Sequence, residues 1–207
     1  MQLLGIHISP PEPDPQSWAQ LCDRCMYGVL PVRQWVQERG VLETKLLGQV
    51  QTACAGALLT ELLRDVRLEM IEHDRLYLPA DVASKHGLDI PLLRKAIKLD
   101  TDRGCDGDLR DSSCDCALMP RGDMLALRKP YRATMRDLVN RTQGLFAESE
   151  SSWRALPPEL SRPLHAQVLE ARSTLKMIAR HDYDTLTRRP KLGAFPRVWN
   201  HLRLRLG

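Results

Sequence analysis

The stretch from Leu46 to about His73 limits what this chain can fold into more than any other. Leu46, Leu47, Val50, Cys54, Ala57, Leu58, Leu62 and Val66 recur at three- and four-residue spacing, with no proline and no β-branched run to interrupt them. Residues so spaced share one stripe of a helix, and a stripe this long must be buried against other helices. The pattern therefore predicts one long core helix ending near His73. Along the same helix, Glu61, Asp65 and Glu69 repeat at every fourth position. Like charges at that spacing destabilise a helix by about 0.2 to 0.5 kcal/mol per pair, so something must compensate. Arg64 and Arg67 could neutralise the face in water, or a hard cation such as Mg²⁺ could sit on the carboxylate oxygens it prefers. Spacing alone leaves both open.

The rest of the chain reads as further helices. Prolines at 10, 11, 13 and 15 make residues 1–16 an extended lead-in, after which Trp18, Leu21, Cys22, Cys25, Met26 and Val29 fall at helical spacing. A turn around Pro79 precedes a short helix that Gly87 would cap. Residues 100–123, rich in Asp, Gly, Ser and Cys, predict a surface loop inserted into the domain. A helix from about Tyr131 to Ser149 carries Met135, Leu138, Val139 and Leu145. The last pattern follows "LPPEL" and runs through Leu164, Val168, Ala171, Leu175 and Ile178 towards Leu186. No alternating strand pattern of useful length occurs, so the predicted class is all-α. With 207 residues, 43% of them hydrophobic, the chain can bury one core. Residues 17–207 are expected to form that domain.

Several functions find no support in these residues. The 30 basic side chains against 26 acidic ones leave a formal charge of +4 scattered along the chain, too diffuse to predict a nucleic-acid partner. The six histidines show no H-x-x-x-H pairing and no serine has the flanking glycines of a nucleophile elbow, so hydrolase chemistry is unsupported. The six cysteines come without a recognisable secretory signal, and no apolar segment approaching the roughly 20 residues of a membrane span is expected. A reducing, cytoplasmic setting follows as the expectation. Cys22-x-x-Cys25 with Cys114-x-Cys116 could form a four-thiolate zinc site, or Cys22 and Cys25 could act as small hydrophobes on an apolar helix face. The ending "FPRVWNHLRLRLG" alternates Arg with apolar residues, as a solvated helix end does, or a segment lying peripherally on an anionic membrane.

Longer matches single out one family. "LLRDVRLEMIEHDRLYLPADVASKHGLD" resembles the second aspartate-rich segment of the squalene/phytoene synthases, where an L-R-D-V run, an acid four positions after the Asp and a G-R-x-Y-L-P turn follow one another. Asp65, Glu69, Arg75, Tyr77, Leu78 and Pro79 keep that order. "MRDLVNRTQGLFAESESSWRALPPELSRPL" resembles the family's E-R-A-R-x-x-F segment and Leu-Pro turn, and "IARHDYDTLTRRPKLGAFPRVW" its I-x-x-R-G-Y-D-x-F-x-R-R-x-x-L ending. "LCDRCMYGVL" takes the place of its Y-C-x-x-V-A-G helix.

The resemblance implies an isoprenoid-synthase-like helical bundle, incomplete on its N-terminal side, and a prenyltransferase that condenses two prenyl diphosphates head to head. Mg²⁺ would be the cofactor, farnesyl or geranylgeranyl diphosphate the substrate, and isoprenoid, hopanoid, sterol or carotenoid biosynthesis the setting. By position, Asp65, Glu69 and Glu61 would hold metal, Arg64 and Arg189 would contact diphosphate, and Leu58, Leu62, Cys25 and Val29 would line the prenyl cavity. Tyr183 is expected to pack between helices. The departures point the other way. The family's first aspartate-rich helix has no counterpart in these residues, Leu58 and Glu61 stand where Gln and Asn are common, Glu69 replaces Asp, and Ala171 replaces a Tyr. Impaired catalysis is the resulting expectation, for a truncated synthase or for a half-length member whose missing helix a second chain could supply. The alternative is a non-catalytic family member that acts in binding or assembly.

Overall fold

The apolar stripe forms the central helix of a bundle in a computed structural model that describes residues 13–41, 43–101, 122–151, 155–187 and 189–190. Eight helices and no strand occur among the described residues: α1 (Trp18–Gly28), α2 (Leu30–Gln37), α3 (Thr44–Arg64), α4 (Val66–His73), α5 (Ala80–Lys85), α6 (Ile90–Thr101), α7 (Gly122–Glu148) and α8 (Pro158–Arg180). The all-α class is thus observed. Helix α3 is surrounded: α7 and α8 pack along it most extensively, with α1 and α2 on its remaining sides. By length and mean hydropathy α3 could cross a membrane, contrary to the expectation that no segment comes close. Its burial on nearly all sides identifies it as the core helix of the bundle.

Two boundaries and two whole helices differ from the sequence expectation. The long helix does not run unbroken to His73. It is interrupted at Asp65, whose φ of −106° and ψ of 17° leave the helical region, although Asp65 N–H still donates to Glu61 C=O and Glu69 N–H to Asp65 C=O. Helix α7 begins at Gly122, nine residues before Tyr131, and carries Pro130 inside it. Helices α2 and α6 were not expected at all. The sequence did signal α6: Asp89 accepts from Leu92 N–H as an N-cap, and Leu93, Ala96 and Ile97 follow at helical spacing.

The predicted cap on α5 is present. Gly87, at φ +69°, donates to Ser84 C=O while Leu88 N–H donates to Ala83 C=O, the paired bonds of a Schellman motif. The end of the lead-in is pinned rather than loose. Pro15 C=O accepts from Ala80 N–H, Gln16 C=O from Asp81 N–H, and the Asp14 carboxylate from Leu76 N–H and Arg94. These ties hold the "RLYLP" turn against the start of α1.

Candidate functional site

At the junction of α3 and α4 the helix break turns the Asp65 side chain towards the chain segment that follows α8. Arg64 Nε and Nη2 donate to Asp65 Oδ1 and Oδ2 at 3.0 and 2.7 Å, and Arg189 Nε and Nη2 donate to the same two oxygens at 2.7 and 2.9 Å. Arg64 also pairs with Glu61 at 2.5 Å. Four of the five residues expected at the polar end of the site, Glu61, Arg64, Asp65 and Arg189, therefore meet in one cluster. Arg64 and Arg189 meet on the Asp65 carboxylate despite the length of chain between them.

Glu69 lies one helical turn beyond Asp65 and is half-buried, outside the guanidinium contacts. Burial acts to raise the Asp65 carboxyl, but the hydrogen bonds from Arg64 and Arg189 outweigh it and hold Asp65 below the usual aspartate value. The opposite balance holds for its neighbours. Partial desolvation pushes the Glu61 and Glu69 carboxyls up, opposed at Glu61 chiefly by Arg64 and at Glu69 by His73.

The expected cavity residues separate. Leu58, Leu62 and Cys25 line one small pocket together with Leu21, Arg24, Arg75 and Tyr77, whereas Val29 is buried in the core away from it. The pocket has a volume of about 20 Å³, and about 10–15 Å³ measured this way already admits one water molecule. Arg24 was not anticipated, although it lies one turn after Leu21 on the same face of α1. Tyr183 packs against the core with φ +60°, and the Arg136 guanidinium lies 5.0 Å from its ring.

The cysteine arrangement favours the apolar alternative where it is described. Cys25 is buried and its thiol is pushed up by desolvation, while Cys22 is pushed up to about 11 for the same reason first, with Asp23 adding to it. Both shifts oppose the thiolate a zinc ion needs. Cys114, Cys116 and the C-terminal "FPRVWNHLRLRLG" lie outside the described residues, as does most of the 100–123 insertion.

Residues 115–195 match the squalene/phytoene synthase family model. The fold is similar to the crystal structure of squalene synthase HpnC from Alicyclobacillus acidocaldarius, with a TM-score of 0.63 at 20% sequence identity, covering 84% of this chain and 55% of that one. Residues 115–195 thus resemble this family, and the solved synthase shares the fold. The chain spans about 55% of the length of the solved synthase it matches. No curated protein matches the sequence. The family model spans α7, α8 and the segment carrying Arg189, so it covers one part of the Asp65 cluster; α3, α4 and Asp65 at their junction lie outside it.

The family is generally Mg²⁺-dependent, and the cluster can be tested against that ion. Mg²⁺ takes carboxylate oxygens at about 2.0–2.1 Å in near-octahedral geometry. Both oxygens of Asp65 already accept from two guanidinium groups, and Glu61 is engaged by Arg64. No group of three or more His, Cys, Asp or Glu side chains among the described residues is arranged to hold a metal ion. As placed, these residues do not fit Mg²⁺.

Proposed function

We propose that this chain is a squalene/phytoene synthase-like protein of isoprenoid metabolism that recognises a prenyl diphosphate but is impaired in head-to-head condensation. The observation that carries this is the double clamp on Asp65, whose two oxygens both accept from Arg64 and Arg189. Departure of a diphosphate from an allylic carbon is slow unless its developing charge is neutralised. In this chain the two arginines best placed to supply that neutralisation are partnered by a carboxylate, and the carboxylate is partnered by them. Leu58 replaces a polar residue at the neighbouring position and lines a pocket of about 20 Å³. A diphosphate could exchange for Asp65 on the guanidinium groups, which suit bidentate phosphate recognition. A facing acidic helix from a second chain would supply charge that this cluster does not, and contact with a membrane through the basic C-terminal segment would bring the protein to its apolar substrates from a cytoplasmic location.

A second reading, a non-catalytic member that binds or assembles other proteins, is favoured by the same neutralised cluster. Incubation with farnesyl or geranylgeranyl diphosphate and Mg²⁺, alone and with neighbouring gene products, separates the two. Binding of a prenyl diphosphate with little or no condensation product from the chain alone is the expected result. Efficient turnover by the isolated chain would contradict impairment, and failure to bind either diphosphate would leave only the second reading.

A further inference from the structure

We propose that Asp65 is a structural latch that fastens the segment after α8 to the α3–α4 junction, and that this position carries no divalent cation. The inference builds on the impaired-catalyst reading, but its test needs no substrate. Asp184, Thr185, Leu186 and Arg189 are tied down by a succession of polar contacts. The Asp184 carboxylate, 6% exposed, accepts from Arg132 Nη2 at 3.2 Å and lies 3.4 Å from Arg128 Nε, both on α7. Thr185 Oγ1 and Tyr131 Oη share a hydrogen bond of 2.6 Å. Leu186 buries its side chain, and its C=O accepts from Arg67 Nη1 of α4 at 3.1 Å. Arg189 on Asp65 is the outermost contact of the series and the one that joins the segment to the end of α3.

The hydrogen-bonding capacity of Asp65 explains why a cation is not expected there. An ionised carboxylate offers about four lone-pair sites, and two bidentate guanidinium groups fill them. The Asp65 side chain is 12% exposed, so these bonds are partly shielded from water. Glu61 and Asp65 balance Arg64 and Arg189, which leaves the cluster formally neutral. A cation entering would meet two guanidinium charges at close range and would have to displace both.

The experiment combines Mn²⁺ titration, followed by electron paramagnetic resonance, with thermal melting and amide hydrogen exchange of the full chain. Wild type should bind no stoichiometric Mn²⁺, and millimolar Mg²⁺ should leave its melting midpoint unmoved. Asp65→Asn should melt several degrees lower, because it leaves two half-buried guanidinium groups undercompensated. Arg189→Gln should show the same direction with faster exchange at the 185–187 amides, and it serves if the first variant does not fold. One Mn²⁺ per chain in wild type, lost in Asp65→Asn, would overturn the latch. So would Asp65→Asn melting above wild type, the sign expected of a carboxylate kept for a metal, or an Arg189→Gln variant with unchanged midpoint and exchange. Condensation activity, present or absent, moves none of these readouts.

Discussion

Gly56 shows how a single residue is constrained by its neighbour rather than by its own helix. A Cβ added there would lie 2.9 Å from Phe146 Cε1, and Phe146 is fully buried. Alanine gains about 0.8–1.0 kcal/mol over glycine in a helix interior, whereas overpacking a core costs about 1–3 kcal/mol. Gly56→Ala is therefore expected to destabilise the protein by up to about 2 kcal/mol. Gly144, in the interior of α7, has nothing within 4 Å of an added Cβ. There the propensity gain stands alone, and Gly144→Ala should raise stability by about 0.4–1 kcal/mol. Urea midpoints of the two variants, moving in opposite directions, would check both. Neither sign is legible in the sequence, where both residues are glycines inside helical patterns.

Individual elements are held by end effects and by staples between them. The Schellman cap on α5 needs a left-handed residue at position 87, and placing a Cβ in that conformation costs about 1–2 kcal/mol. Gly87→Ala should lower stability by about that amount, read from the shift of the denaturation midpoint. The signal for this cap was visible in the sequence as a glycine closing a short helical run. The staple between α5 and α7 was not. Asp137 accepts from Arg141 Nε at 2.8 Å and from Lys85 Nζ at 2.9 Å, and lies 3.0 Å from His86 Nε2. The hydrogen bond from Arg141 is the largest influence on the Asp137 carboxyl; burial, the next, acts to raise it, and the bonds from Lys85 and His86 join Arg141 in holding it far below the ordinary aspartate value. A depressed carboxyl contributes stability that is fully present above the unfolded value of about 3.9 and is lost as pH falls through the lower folded value. Asp137→Asn should thus lower stability at neutral pH and flatten the acid limb of the midpoint-against-pH curve below about pH 4. A curve that keeps its wild-type slope there would assign the acid sensitivity to other carboxylates.

At the scale of the molecule, stability is concentrated in α3, because most of its surface is covered by other helices. Leu59 on this helix is fully buried. Leu59→Ala should cost about 2–5 kcal/mol, and near this chain length each kcal/mol lowers the melting midpoint by about 2–4 °C. Loss in a single transition, seen alike by circular dichroism and tryptophan fluorescence, would show that the α3 contacts hold one cooperative unit. The sequence by itself determined that the chain is helical, that residues 46–66 form its core stripe, and that Asp65 belongs to a motif resembling a prenyl-diphosphate site. Those properties are local: they rest on three- and four-residue periodicity and on short runs of neighbours in the chain. Only the tertiary structure decided what Asp65 does with its charge, because Arg189 reaches it from the segment beyond α8, a long-range pairing that no helical spacing encodes. It also decided that Leu58, Leu62 and Cys25 face a small pocket while Val29 does not. Which side of a helix meets its neighbour depends on how α1 packs across α3, and periodicity marks the buried stripe without naming its partner.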